Sequence, residues 1–408
     1  MDSIQLFVIN LRMLKGSFKM AEKEEVIDDH LEHIINFRRR LHKEPELSFK
    51  EYETTKLIQN GLEDTKIKFY ELSEKTGVIG ILAKDPKFEY IGVRGDMDAL
   101  PLTERTGLDY KSENDGVMHA CGHDIHTSIM YGFAKVINDM YDDLQYNIVF
   151  IFQPAEETLE GARYMKEELE RLEVPVDKIV MYHTWPKMNE GLIGYRKEQF
   201  CAGSTGFNAK VTAKGGHAAH PDTTADPIYL ASNIIQFIQG IASRFNNPAT
   251  PVVITVGQIH AGEANNVIPD ECSFGGTIRS FSEDSIELAQ KMIENYIGGL
   301  TGISGADCEL EYTNYCPPVI NNPELVEEFV NAGDDHDSKF HELKEPSMGS
   351  EDFAFYMEDY VGAAFRIGTK MKDVEASGYS LHSPEIVFSE KSIKTGIEAL
   401  VNFATKAR

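Results

Sequence analysis

Short apolar runs at residues 90–94, 147–152 and 178–182 alternate with stretches of helical periodicity at 124–139 and 157–172. Runs of this length are too short for independent helices, and their nearly unbroken apolar character calls for burial on both faces. Strands separated by helices pair in parallel through crossovers. The pattern therefore predicts an α/β body with a mostly parallel sheet flanked by helices. Open α/β sheets collect ligands at the carboxyl ends of their strands, and Asp96, Glu156 and His183 come directly after the three runs. A further helix is expected over 25–43, where Val26, Ile27, Leu31, Ile34, Ile35 and Leu41 recur at helical spacing and Arg38 to Arg40 fall late.

Near residue 200 the period changes. Phe207, Ala209, Val211 and Ala213 alternate as a half-exposed strand does; a helix opened by Asp226-Pro227 is expected over 227–243 and another over 284–299. Strand patterns at 252–260, 271–280 and 307–315 complete the order βαββαβ, the ferredoxin-like split unit. After Cys316-Pro317-Pro318 helical and mixed patterns return. The simplest account is an insertion: residues 1–199 and 317–408 form a catalytic body, and 200–316 form a satellite domain.

Charge narrows the partners. Forty Lys and Arg against 66 Asp and Glu leave a net charge of −26, which repels phosphate and argues against nucleic acid or an anionic membrane as partner. The apolar run at 4–9 follows Asp2 and lacks a small-residue cleavage site, so it is not expected to be a signal peptide. No run approaches the ~18 apolar residues of a membrane span. Five cysteines without regular spacing make no secreted disulfide framework, and a cytoplasmic protein is expected. Met20 opens a strongly polar segment, which suggests that residues 1–19 lie upstream of the natural start.

The densest chemistry lies in His119-Ala-Cys121-Gly-His123-Asp124-Ile-His126. A glycine-flanked His/Cys group can be no more than a polar turn, but Cys121 and His123 can also converge on one metal as thiolate and imidazole. With no second cysteine pair a closed structural site is hard to complete, whereas an open catalytic site needs fewer protein ligands. Gln153-Pro-Ala-Glu156-Glu157 places adjacent carboxylates after a buried strand. Alone they would suit a helix N-terminus. Beside the Cys/His cluster, one can ligate metal while the other acts as general base and then general acid. His183 is a further ligand candidate, and His382, in Leu381-His382-Ser-Pro, can close the metal shell. Gly215-Gly216-His217, Asn265-Asn266 and Gly276-Thr-Ile-Arg279 supply glycines, an imidazole, an amide and a guanidinium, a set suited to an oxyanion and a carboxylate.

With Gly95-Asp-Met-Asp-Ala-Leu-Pro101, Asn266-Val-Ile-Pro269 and Gly349-Ser-Glu-Asp352, these motifs occur in one order from about residue 30 to the C-terminus. In that order the chain resembles the M20-type metallopeptidase and amidohydrolase family, in the branch of hippurate hydrolases, N-acyl-amino-acid amidohydrolases and auxin-conjugate hydrolases. The resemblance implies two divalent ions, Mn²⁺ or Zn²⁺ first and Co²⁺ or Ni²⁺ as options. It implies Cys121, His123, Glu157, His183 and His382 as ligands, with Cys121 bridging, and Glu156 as base. It also implies that His217 reaches across a homodimer formed by the satellite domain to steady the oxyanion, and that Asn266 and Arg279 hold the substrate carboxylate. The wider family has His-x-Asp where this chain has Asp96-Met-Asp98. Asp98 is expected to orient a ligand, and Asp96 has no assigned role. The implied reaction is hydrolysis of an N-acetyl or N-benzoyl amino acid. Deacetylation of N-acetyl-diaminopimelate, dipeptide or carboxypeptidase cleavage, and a silent dimeric binding protein are the alternatives.

Overall fold

The computed structural model describes residues 3–73, 76–333 and 339–406, with side chains from residue 22 onward. The expectation about residues 1–19 falls outside the described side chains. Two compact units emerge: Met1–Glu198, Asn321–Lys344 and Phe355–Arg408 make the first, Gln199–Ile320 and Glu345–Ala354 the second. In chain order the first contributes α1 (Ser3–Lys43), α2 (Tyr52–Gly61), β1 (Lys68–Tyr70), β2 (Val78–Leu82), β3 (Tyr90–Asp96), α3 (His123–Asp139), β4 (Asn147–Gln153), α4 (Gly161–Arg171), β5 (Lys178–Asn189) and β6 (Ile193–Tyr195). After β7 (Glu198–Cys201) come β8 (Gly203–Thr212), β9 (Gly216–His217), α5 (Pro227–Arg244), β10 (Val252–Ala261), β11 (Val267–Ile268), β12 (Glu271–Ser280), α6 (Glu283–Ser304), β13 (Asp307–Cys316) and β14 (Val319–Asn321). The chain then returns through α7 (Pro323–Ala332), β15 (Phe340–Glu342), β16 (Val361–Lys370) and α8 (Lys391–Thr405).

The first unit is built on an eight-stranded sheet of order β1-β2-β4-β3-β5-β16-β6-β15. Its centre, β4-β3-β5-β16, is parallel, as the unbroken apolar runs require. All seven residues of β4 are buried. Helix α3 lies in the core between α1 and α8: Ile34, Ile129, Ile137 and Ile397 pack with Phe150 and Phe365 of the sheet, each contributing ~1.5–3 kcal/mol on full burial. Two elements differ from expectation. The pattern over 157–172 becomes helix only at Gly161, because Ala155 and Leu159 take positive φ (55° and 58°) and turn the chain first. Strand β5 continues to Asn189, so His183 lies within it rather than after it. Pairing with β3 stops at Met181 while pairing with β16 runs on, which carries His183 past the last paired residue of β3.

In the second unit β8, α5, β10, β12, α6 and β13 follow one another, and the sheet order is β10-β12-β8-β13 with every neighbour antiparallel. Each helix crossover leaves a gap that another strand fills, the topology of a split βαβ pair. Asp226 starts α5 as its sequence suggests, its side chain accepting from the amides of Ile228 and Tyr229. Phe207, Val211 and Phe274 of the sheet pack on Ile234, Ile238 and Ile293 of the two helices. The segment Glu345–Ala354 groups with this unit, although the sequence pattern assigned all of 317–408 to the first body. The cause is local pairing: the Ser347 amide donates to Phe200 O and the Ala202 amide to Ser347 O, each at 2.9 Å. Among the described residues no helix is long and apolar enough to cross a membrane.

Candidate metal centre

The first unit's ligand candidates converge where β3, β4 and β5 end their shared pairing and α3 begins. Gly122 precedes α3 with φ 85°, and a Cβ there would meet Thr184 Oγ1 at 2.7 Å, so only glycine fits between Cys121 and His123. Thr184 locks the junction: its hydroxyl donates to Cys121 O and its amide to His126 Nε2, both at 2.7 Å. His126 therefore carries its proton on Nδ1 and donates it to Asp96 Oδ1 at 2.5 Å. Arg94 Nη1 donates to the other Asp96 oxygen at 2.6 Å. Asp96, unassigned from sequence, thus anchors the end of β3 to α3. His183 Nδ1 donates to Thr184 O at 2.8 Å, leaving Nε2 3.5 Å from Cys121 Sγ.

Asp98 organises the other half. His123 Nδ1 lies 2.9 Å from Asp98 O and 3.2 Å from Asp98 Oδ1, which fixes its proton there and turns Nε2 the opposite way. The amides of Glu156 and Glu157 donate to the two oxygens of Asp98, each at 3.1 Å. His123 Nε2 then faces Asp96 Oδ2, Glu156 Oε2 and Glu157 Oε1, each at 3.8 Å. His382, in a left-handed backbone position (φ 66°), donates its amide to Ala120 O at 3.0 Å and brings Nε2 to 3.6 Å from Glu157 Oε1. Donor atoms of Cys121, His123 and His183 lie within 4.8 Å of one another, as do those of Cys121, Glu157 and His382. Cys121 belongs to both groups.

Electrostatics shows what this arrangement lacks. His123 Nε2 and Glu157 Oε1 are buried without a hydrogen-bond partner, a costly condition for polar atoms. Burial, reinforced by Asp98 and Asp96, pushes the Glu157 carboxyl up to about 7. Burial also pushes the Cys121 thiol up. The His183 imidazole is held well down by burial and by Arg366, hence neutral. Burial opposes charge on His123, but Asp96 and Cys121 outweigh it and raise that imidazole well above its ordinary value. The pocket holds protons on Cys121, Glu157 and His123, and divalent cations fit in their place: a sulfur, imidazoles and carboxylates, donors for such ions once deprotonated, all point inward.

Cys121, His123, Glu157, His183 and His382 are thus together, with Glu156 and Asp98 beside them. His217, Asn266 and Arg279 belong to the second unit. There β9 pairs with β11, Asn266 O accepts the Ala218 amide at 3.1 Å, and His217 Nδ1 accepts the Ala219 amide at 3.0 Å on an exposed ribbon. Arg279 stands apart on β12, its Nη1 donating to Met348 O and Ser350 Oγ at 3.1 Å each. His126 joins the centre as well, and its place three residues after His123 on one helical face is a signal the sequence carries for it. Ser48 and Glu51, in no motif, contact this centre from a distant connection.

A carboxylate-braced cysteine and imidazole set at the end of a parallel sheet has the donors of a metal-binding site. The chain matches the model of Peptidase family M20/M25/M40 over residues 92–406 and belongs to that family. It is 35% identical to IAA-amino acid hydrolase ILR1-like 4 of Arabidopsis thaliana over 93% of this chain and 86% of the relative. It is 34% identical to N-acetylcysteine deacetylase of Bacillus subtilis over 91% of this chain and 96% of the relative. Among solved structures, a dinuclear metal binding peptidase of the M20 family from Bacillus subtilis superimposes with a TM-score of 0.80 at 31% identity, covering 93% of this chain and 98% of the other. The chain is a metal-dependent hydrolase of amide bonds.

Proposed function

We propose that the substrate is an N-acyl amino acid of the N-acetyl or N-benzoyl kind, cleaved to a free amino acid and a carboxylic acid. The observation that carries this reading is the inward-facing pair of orphaned atoms, His123 Nε2 and Glu157 Oε1, with the Glu156 carboxylate beside them. Cys121, His123, Glu157, His183 and His382 would hold two divalent ions, Cys121 being common to both donor groups; Mn²⁺ and Zn²⁺ suit the donors best, with Co²⁺ and Ni²⁺ as options. When bound, these ions polarise the scissile carbonyl and acidify water. Glu156 takes the proton released as water attacks and delivers it to the leaving nitrogen. Asp98 keeps His123 in the tautomer that presents Nε2. His217, an exposed residue, serves the oxyanion from a partner subunit, while Asn266 and Arg279 hold the substrate carboxylate. The exposed Val253 and Ile259 of edge strand β10 support a homodimer contact through the second unit. Five cysteines without a framework spacing support a cytoplasmic location.

The test is a product assay on N-acetyl and N-benzoyl amino acids, N-acetyl-diaminopimelate and dipeptides, with Mn²⁺, Zn²⁺ or Co²⁺ added. Glu156→Ala is expected to lower kcat by about 10²–10⁴-fold with metal content unchanged by elemental analysis. Preferred turnover of the diaminopimelate derivative or of dipeptides would move the substrate assignment, and full activity in Glu156→Ala would remove Glu156 from its role.

A further inference from the structure

Three consecutive amides of the turn carrying the paired glutamates donate to only two buried carboxyl groups. Asp98 takes the amides of Glu156 and Glu157; Glu51 takes the first, Ala155 N to Oε1 at 2.9 Å. Ala155 has φ 55°, a left-handed conformation that a residue with a Cβ keeps only where its surroundings impose it. The Glu51 side chain is completely buried, and its other oxygen accepts from Thr76 Oγ1 at 2.6 Å. Glu51 precedes α2, in the position of a helix cap, yet its side chain does not cap. Glu46 does that work, accepting from the amides of Glu53 and Thr54 at 3.2 and 2.9 Å. The Glu51 carboxyl is thereby left to reach the turn. From the same connection, Ser48 Oγ donates to Asp98 Oδ2 at 2.7 Å.

We propose that Glu51 is a positioning residue: from the connection between α1 and α2 it grips the Ala155 amide and so sets the aim of Glu156 and Glu157. This rests on the reading of those two residues as base and metal ligand. What matters in such a brace is an acceptor at the right reach. Two substitutions separate reach from charge. In Glu51→Gln the amide oxygen can still accept from Ala155 while the amide nitrogen donates to Thr76 Oγ1. Glu51→Asp keeps the charge but withdraws the carboxyl by about 1.5 Å, one carbon–carbon bond.

The experiment uses the full chain and three readouts: hydrogen exchange at the amides of residues 155–157 in the metal-free protein, Mn²⁺ affinity, and kcat with KM at saturating Mn²⁺. Glu51→Gln is expected to stay within about threefold of the parent in all three. Glu51→Asp should exchange faster at 155–157, bind Mn²⁺ about 10–100-fold more weakly, and lose at least about tenfold in kcat while KM stays within about twofold. A purely structural role would lower the melting temperature and leave kcat intact. The proposal is overturned if Glu51→Asp matches the parent in exchange and kcat, or if Glu51→Gln is as impaired as Glu51→Asp while melting at the parental temperature. Should Glu51→Asp not fold, Thr76→Val takes its place, since it frees the other Glu51 oxygen: faster exchange at Ala155 supports the brace and unchanged exchange overturns it. If the parent turns over no N-acyl substrate, the functional reading fails, while exchange and Mn²⁺ affinity still decide the role of Glu51.

Discussion

Glu51, buried, and Glu157, largely buried, are two carboxyls with different fates. Each is pushed up to about 7, burial being the largest cause, against 4.5 for an ordinary glutamate. Between those values the folded chain keeps a proton that the unfolded chain has released. Each group therefore favours the fold at low pH, and that contribution is lost as pH rises toward 7. The penalty for ionising such a group in place is on the order of 3 kcal/mol. A cation held by Glu157 as proposed would compensate its charge, whereas the donors to Glu51, Thr76 and Ala155, are neutral. Glu51→Gln is accordingly expected to raise the melting temperature of the metal-loaded protein at pH 8, the gain shrinking toward pH 5. Calorimetry at the two pH values checks this; an equal gain at both would mean that Glu51 ionisation is not its source.

At the scale of elements, the start of α3 is where fold and site meet. Gly122→Ala puts a Cβ against the Thr184 side chain at a residue with φ 85°; it is expected to cost about 1–3 kcal/mol of stability and to weaken metal binding about tenfold or more. Asn322→Ala is the control, because it removes a helix cap at α7, where the side chain accepts from the Leu325 amide at 2.8 Å. It should cost about 1 kcal/mol and leave metal affinity unchanged. Differential scanning calorimetry and elemental analysis on both variants read the two effects separately. The same elements show what a sequence discloses. Strand β4 was legible because each of its residues is buried, so its apolar run coincides with its length. Strand β5 outruns its apolar run, since beyond Tyr182 it pairs with β16 and carries site residues instead of core. Cys121, His123 and Glu157 were legible because their residue types cluster in short motifs. Glu51 was not: its partners Thr76 and Ala155 lie 25 and 104 residues away, and nothing local distinguishes it from any other glutamate.

For the whole molecule, the net charge of −26 is mostly a property of its surface, while the acids buried at the candidate metal centre are few, Asp96, Asp98 and Glu156 among them. The larger question is whether one chain suffices for catalysis. His217 lies in the second unit, exposed on a two-stranded ribbon, and Cys121, His123, Glu157, His183 and His382 all lie in the first. If His217 serves a partner's site, inactive variants can rescue one another. In a mixed dimer of Glu156→Ala and His217→Ala chains, the site containing intact Glu156 receives intact His217 from its partner, while the other site has lost both. Random mixing makes half of all dimers mixed, with one of their two sites working, so about a quarter of the parental activity should return. If His217 acts within its own chain, every site in the mixture lacks one residue and nothing returns. The measurement is kcat after the two variants are co-refolded in equal amounts, with sedimentation velocity to establish that dimers have formed. Recovered activity assigns His217 to the partner's reaction, and its absence in a dimeric mixture confines each reaction to a single chain.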